Sequence, residues 1–409
     1  MDRLLLLLPT RTYRTEDFVD AAGRLGVDLV CASERPSTLE GLAPDSLLTL
    51  DFGDPDAAAA KAAAFARAHP LKAVVGVDDL TSTVAAAIAE RLSLRTSPRA
   101  AVAATRDKHE MRRRLAAAGV PVPRFRAIAL ADDLPRVARE VDYPVVLKPL
   151  SLSASRGVIR ADDPEAFVAA AHRIAAILAR DDAAAGGPAA SDVLVEAFIP
   201  GVEVAVEGLL AGGALHVLAL FDKPDPLDGP FFEETIYVTP SRLPEATQRR
   251  IADVTREACA ALGLTEGPIH AELRVNERGP WVLEIAARSI GGLCSRTLRF
   301  GTGMTLEEII LRHALGWPVD SLARERRAAG VMMLPIPRAG RLLAVDGVED
   351  AAAVPGVEDV TISIPLGQEV EPLPEGWQYL GFVFARAETP DVVEAALRQA
   401  HARLAFTIA

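Results

Sequence analysis

Apolar runs alternate with stretches of helical period through the first hundred residues of this chain. LLLLL (4–8), DLVCAS (28–33) and AVVGVDD (73–79) read as strands, while 54–69 and 80–91 read as helices. Short apolar strands alternating with helices predict an open parallel α/β unit. Asp78 and Asp79 would stand at a strand's carboxyl end, the ligand-facing edge of such sheets, unless they only cap the next helix. A helix is expected from Thr105, TRDKHEMRRRLAAAG, stopped by Gly119 and the prolines of VPVP. A strand then delivers Lys148, a small-residue loop follows, and Asp162-Asp163-Pro164 opens a helix to about Arg180. AAAGGPAA (183–190) reads as a flexible connection. Beyond it come two strands about Pro200-Gly201, a third in LHVLALFDK, an irregular loop DKPDPLDGPFFEE, and a helix over 244–262.

The stretch Ile269–Arg288 has the sharpest pattern. At a period of two, Ala271, Leu273, Val275, Trp281, Leu283 and Ile285 share one face, and Glu272, Arg274, Glu284 and Arg288 the other. Gly279 closes the turn of a hairpin. Folded about Arg278, the hairpin sets Glu272 opposite Glu284. Two carboxylates facing each other repel unless a cation lies between them, and hard oxygens at that spacing suit Mg²⁺. Arg288 on the same face could meet a transferring phosphoryl group. An ordinary solvated hairpin face carries the same residue types, so other segments must decide. After it, Gly291-Gly292 and a helix over 306–315 lead into VMMLPIP, RLLAVDG, VEDVTISIP and YLGFVFAR, read as strands, and a last helix capped by Thr389-Pro390. That C-terminal part reads as a small α+β unit with no reactive constellation.

Composition narrows the class. The 409 residues suffice for two or three compact units, and half of them are hydrophobic, with a mean hydropathy of +0.20. A net charge of −12 argues against a nucleic-acid backbone or an anionic membrane as partner. The leucine run is too short to span a bilayer or to serve as a signal peptide. Cys31, Cys259 and Cys294 lie far apart, offering neither a disulfide framework nor a zinc site and fitting a reducing cytoplasm. Cys294, in GGLCSR, is a nucleophile candidate or a small buried thiol. No GxGxxG follows a strand and no P-loop GK occurs, which disfavours a dehydrogenase or a P-loop NTPase.

Several residues suit a nucleotide. Lys108 stands in a helix's first turn, where the dipole disfavours a cation and a bound anion would repair the conflict. The loop with Ser151, Ser153, Ser155 and Gly157 offers N–H groups and hydroxyls to phosphate oxygens. Glu196-x-Phe198 followed by Glu203 suits a nucleoside, with an aromatic on the base and carboxylates on amine and ribose; two exposed glutamates on edge strands are the bland alternative.

The ordered set Lys108, Lys148, serine loop, Glu196-x-Phe198, Glu203, Glu272, Glu284 and Arg288 resembles the ATP-grasp superfamily over roughly residues 1–315. Within it, GPFFEETIYVTPS, EIAARSIGG and GFVFARAETP make the chain most similar to the L-amino-acid ligases, which include dipeptide synthetases. The resemblance implies an α/β ATP-grasp fold: an N-terminal parallel α/β domain (1–100), a connecting helix (101–123), a lid (124–190), a catalytic core (191–316) and a C-terminal α+β subdomain (317–409). It also implies that Lys108 and Lys148 bind ATP phosphates, that the 151–157 loop with Ser155 and Gly157 closes over them, that Glu196 and Phe198 hold adenine, and that Glu203 holds ribose. Glu272 and Glu284 would bind one or two Mg²⁺ ions, with Mn²⁺ as a substitute. Arg288 would steady the phosphoryl group and the acyl phosphate, and Glu234 would receive a substrate ammonium.

The implied activity is carboxylate–amine ligation through an acyl phosphate, on small-molecule substrates, in the cytoplasm, with a homodimer among the oligomeric options. The alternatives are a carboxylase or formyl-phosphate-type transferase, and a non-catalytic ATP sensor. One departure stands out: many relatives carry asparagine two residues after the last metal-binding glutamate, where this chain has Ala286, which puts a second Mg²⁺ site in doubt. Gly291 and Gly292 leave space past Arg288 for a roomy carboxylate pocket.

Overall fold

The structure, a computed structural model, describes residues 2–180 and 191–409; the connection expected at 183–190 lies outside the described residues. Strands β1 (Arg3–Leu7), β2 (Asp28–Ser33), β3 (Leu47–Thr49) and β4 (Ala73–Gly76) form a parallel sheet in the order β3-β2-β1-β4. The helices of this part are α1 (Thr15–Leu25), α2 (Pro55–Ala68) and α3 (Asp79–Arg91). The leucine run is uninterrupted because both faces of β1 are buried. Leu4 and Leu6 pack with Phe221, Phe300 and Ile309, while Leu5 and Leu7 pack with Ala62 and Ile88. The short β3 was not anticipated. Its three residues carry too little pattern to stand out.

Helices α4 (Arg99–Arg106) and α5 (Lys108–Ala117) replace the single helix expected from Thr105. Thr105 sits in the last turn of α4, its hydroxyl donating to Val102 O at 2.7 Å. Asp107 breaks the run and caps α5, accepting from His109 N and Glu110 N at 2.9 and 3.0 Å. Lys108 therefore does occupy a first turn.

A second four-stranded sheet has the order β5-β8-β6-β7, built from β5 (Phe125–Ala129), β6 (Val145–Pro149), β7 (Ile159–Ala161) and β8 (Asp192–Ala197), so β8 joins strands of the segment expected as the lid (124–190). Helices α6 (Leu134–Ala138) and α7 (Pro164–Ala179) belong to this part, and Phe167, Ile174 and Leu178 of α7 cover Leu147 and Val195.

The central sheet runs β13-β12-β9-β10-β11-β14-β18-β16. Its strands are β9 (Val202–Ala211), β10 (Ala214–Lys223), β11 (Ile236–Thr239), β12 (Gly267–Asn276), β13 (Gly279–Ala286), β14 (Ala328–Leu334), β16 (Val357–Ile362) and β18 (Gly381–Ala387). One face packs on the N-terminal sheet and α9 (Leu306–Leu315), and the other carries α8 (Glu245–Leu262). The C-terminal strands β14, β18 and β16 thus continue this sheet through the β11–β14 pairing. A small sheet of β17 (Glu369–Val370), β15 (Gly340–Asp346) and β19 (Ala405–Ile408), with α10 (Val348–Ala352) and α11 (Pro390–His401), completes the chain. No helix among the described residues is long and apolar enough to cross a membrane.

Candidate active site

The hairpin β12–β13 forms the floor of a cavity, and its register differs instructively from the simple alternation. From the turn, Asn276 pairs with Gly279, Arg274 with Trp281 and Leu273 with Val282. A bulge at Leu283 then shifts the register, so that Glu272 faces Glu284 and His270 faces Ala286. The expected carboxylate pair is present because of that extra residue. The face assignment before it is corrected: Val282 enters the core with Leu273 and Ile285, while Trp281 lies across from Arg274 and Leu283 lines the cavity. One inserted residue inverts which side chains point inward.

Strand β9 extends this pattern into three cross-strand rows on one face. Lys223, Glu203 and Arg274 stand side by side, then Ala205, Glu272 and Glu284, then Glu207, His270 and Ala286. Lys223 is buried at the centre: its Nζ lies 2.9 Å from Glu203 and 3.3 Å from Glu272 Oε1 and bonds Glu234 directly. Glu203, Glu234 and Glu272 approach one another closely enough to resemble a metal site, but Lys223 already supplies the cation there. Arg274 holds the second oxygen of Glu203 at 3.0 Å. His270 joins Glu207, 3.2 Å from Nδ1, to Glu272 Oε1, 3.6 Å from Nε2. Burial opposes charge on His270, but its two carboxylate neighbours outweigh it and push the pKa up to about 9. Burial and the charge of Glu272 push Glu234 up to about 7, so it loses its charge readily on acidification. Tyr237 donates its hydroxyl to Glu234 at 2.8 Å.

Glu272 and Glu284 remain about a quarter exposed, at 24% and 27%, open to the cavity. Lys108 Nζ is 3.5 Å from Glu284 Oε2 and donates to Leu152 O at 2.7 Å, linking the floor to the serine loop. The two accessible carboxylates, facing each other with cations behind, are a hard-oxygen donor set of the kind Mg²⁺ takes. Arg288 pairs with Asp79 at 3.0 Å, which brings the end of β4 to the site, while Asp78 caps α3. Both aspartates line the cavity, so the cap at Asp78 and a place at the cavity edge are not alternatives.

At the other end, Lys148 lies 2.7 Å from Glu196 Oε2, and Arg112 bonds Oε1. Glu196 is only 2% exposed. Burial alone would raise its pKa, but Arg112 and Lys148 outweigh that and hold it down at about 2. The guanidiniums of Arg160 and Arg274 lie over the Phe198 ring at 4.3 and 4.8 Å. Glu196, Glu203 and Phe198 all line the cavity, yet each already has cationic partners. In the serine loop, Ala154 and Ser155 adopt left-handed φ values of 56° and 54°, strain that non-glycine residues hold mostly at functional sites. Gly157, at φ 70°, passes so close to Pro149 that a Cβ would lie 2.7 Å from its ring. Gly291 borders open space, with no atom within 4 Å of where a Cβ would be. Cys294 also lines the cavity, but burial pushes it up to about 12 and it stays a thiol.

Sequence reading missed Lys223, His270, Glu207 and Arg112. His270 and Glu207 follow the same period of two as Glu272 and Glu203, so the signal was there. Lys223 ends an apolar strand and reads as the start of a loop, and Arg112 reads as one of three consecutive helix arginines.

Known proteins match in the same order along the chain. Residues 19–96 match the ATP-grasp N-terminal domain, 141–297 the ATP-grasp domain and 332–409 the L-amino acid ligase C-terminal domain 2. An uncharacterized protein of Sinorhizobium fredii, y4rH, is 26% identical over 98% of this chain and 82% of its own length. Alanine–anticapsin ligase of Bacillus subtilis is 26% identical over 54% of this chain, and the match spans about half (49%) of that enzyme. The crystal structure of an L-amino acid ligase from Bacillus licheniformis superposes with a TM-score of 0.83 at 26% identity, covering 100% of this chain and 99% of the other. The chain belongs to the ATP-grasp superfamily. Within that class it is an L-amino-acid-ligase-like protein.

Proposed function

We propose that this chain is an ATP-dependent, ADP-forming carboxylate–amine ligase that joins an amino acid to an amine. The observation that carries the reading is the convergence of Lys108, Lys148, the 152–155 loop, Glu272, Glu284 and Arg288 on one cavity, from separate segments of the chain. The likeness to alanine–anticapsin ligase and to the Bacillus licheniformis L-amino acid ligase supports it.

In this reading Lys108 and Lys148 bind the phosphates of ATP and the serine loop covers them. Glu196 acts as a positioning residue that fixes Lys148, and Phe198 and Glu203 border the nucleoside. Glu272 and Glu284 would hold Mg²⁺, which supplies charge neutralisation on the phosphates. An oxygen of the substrate carboxylate attacks the γ-phosphorus, the bond to the β-phosphate bridging oxygen breaks, and ADP leaves. Arg288, oriented by Asp79, stabilises the charge on the phosphoryl oxygens in flight. The amine nitrogen then attacks the acyl carbon, phosphate leaves with the C–O electron pair, and the nitrogen loses a proton. Glu234 holds a substrate ammonium, and Gly291 leaves room for the carboxylate substrate. The reading places the protein in a reducing cytoplasm, which suits its three free cysteines.

The test supplies Mg-ATP, hydroxylamine and amino acids one at a time, reading ADP and hydroxamate. Hydroxylamine captures an acyl phosphate whatever the natural amine is. Hydroxamate from one class of amino acid is the expected result. ATP binding with no ADP from any amino acid or small carboxylate overturns the reading.

A further inference from the structure

The ligase reading leaves one segment unexplained. Residues 371–379, EPLPEGWQY, run between β17 and β18 and touch both the lid and the cavity. On the lid side, Gly157 N donates to Pro374 O at 2.9 Å and Arg156 Nε to Glu375 O at 3.0 Å. Arg173 of α7 grips the Glu375 carboxylate with two bonds of 2.6 and 2.9 Å, and Arg180 grips Glu371 with two of 2.9 Å. Such paired forks fix direction as well as distance. The segment is tightly folded on itself: a Cβ on Gly376 would lie 1.8 Å from Glu371 O. On the cavity side, Trp377 and Tyr379 form part of the lining. Tyr379 N meets the Tyr13 hydroxyl at 3.5 Å, and the Tyr13 ring stands edge-on to Phe382 at 5.3 Å. The N-terminal unit and the C-terminal part therefore share one aromatic wall, and segment 371–379 ties the lid to it.

We propose that Trp377 and Tyr379 determine which amino-acid side chains the cavity accepts, selecting large apolar ones, and that segment 371–379 ties this choice to closure of the serine loop. The proposal rests on the ligase reading and names the specificity element within it. Val77, Ile290 and Met333 line the same cavity as this wall, an apolar surround for a side chain whose charged head lies at Arg288 and Glu234. Trp377 is only two and three residues from the carbonyls that hold Arg156 and Gly157. A side chain that seats Trp377 correctly thereby seats the loop over the phosphates, and one that displaces it lets water reach the acyl phosphate.

The experiment compares the full chain with Trp377→Ala, Trp377→Phe and Glu375→Gln, using alanine, leucine and phenylalanine. Hydroxamate and ADP are measured under turnover, and binding of the same amino acids is measured by calorimetry with a non-hydrolysable ATP analogue. Trp377→Ala is expected to change the phenylalanine-to-alanine preference by roughly tenfold, with Trp377→Phe restoring most of it. Glu375→Gln is expected to raise the share of ADP released without hydroxamate. An unchanged preference in folded Trp377→Ala, with unchanged coupling in Glu375→Gln, overturns the proposal. A wild-type chain that binds amino acids without releasing ADP overturns the ligase reading instead, while the calorimetric ranking still tests Trp377.

Discussion

Two carboxylates carry the clearest expectations at the scale of single residues. Glu284 reaches the cavity with one oxygen near Lys108 and is partly exposed, so an amide of equal size leaves the packing intact. Glu284→Gln is expected to reduce ADP formation by roughly 10²–10³-fold, the usual cost of removing one such charge, with an unaltered circular dichroism spectrum. Full activity in the folded variant removes Glu284 from the metal site. Glu196 differs because it is sealed between Arg112 and Lys148. Its folded pKa of about 2 lies below the unfolded value, so its stabilisation is complete above the ordinary carboxylate range and is lost as pH falls toward 2. Glu196→Gln leaves two cations without their anion and destabilises the protein at neutral pH. The gap between wild type and variant, read from urea unfolding at a series of pH values, should narrow as pH drops from about 4.5 to about 2. A gap independent of pH would show that Glu196 is not charged in the folded state.

Elements matter here through where they begin and how they slip. The boundary between α4 and α5 is set by Asp107, whose side chain satisfies two free N–H groups and leaves Lys108 at the helix start. Asp107→Ala is expected to cost about 1 kcal/mol of stability and to weaken ATP binding, because the turn that aims Lys108 frays. Calorimetric unfolding and nucleotide titration check the two parts separately. The hairpin teaches a similar lesson. Alternation along 269–288 made the Glu272–Glu284 pair legible, since both residues fall on the polar side of a period-two pattern. It misplaced Trp281 and Leu283, because a bulge is a backbone event with no reliable side-chain signature.

For the whole molecule, the decisive feature is the continuity of the central sheet into the C-terminal strands. Every residue of β14 and of β18 is buried, and β14 hydrogen-bonds to β11 beside the Lys223–Glu234 cluster. A chain ending at Arg327 would expose the buried edge of β11 and lose the Trp377 wall. It is expected to aggregate or to lose its cooperative unfolding transition, as seen by near-ultraviolet circular dichroism and sedimentation. A soluble, cooperatively folded 1–327 fragment would show that the C-terminal strands are an appendage.

The sequence by itself determined the parallel N-terminal unit and the helix starts at Asp163 and Thr389, because those signals are local: periodicity and caps. It also offered Lys108, Lys148, Glu272, Glu284 and Arg288 as candidates, by pattern and by family resemblance, and the structure gathers them on one cavity. Only the tertiary structure decided which charges meet. Lys223 lies between three glutamates drawn from β9, β12 and the segment before β11, and Arg112 on α5 reaches Glu196 on β8, 84 positions away. Such pairings depend on which strands lie side by side, and on which face of each strand a bulge leaves pointing inward. No short window of sequence contains either.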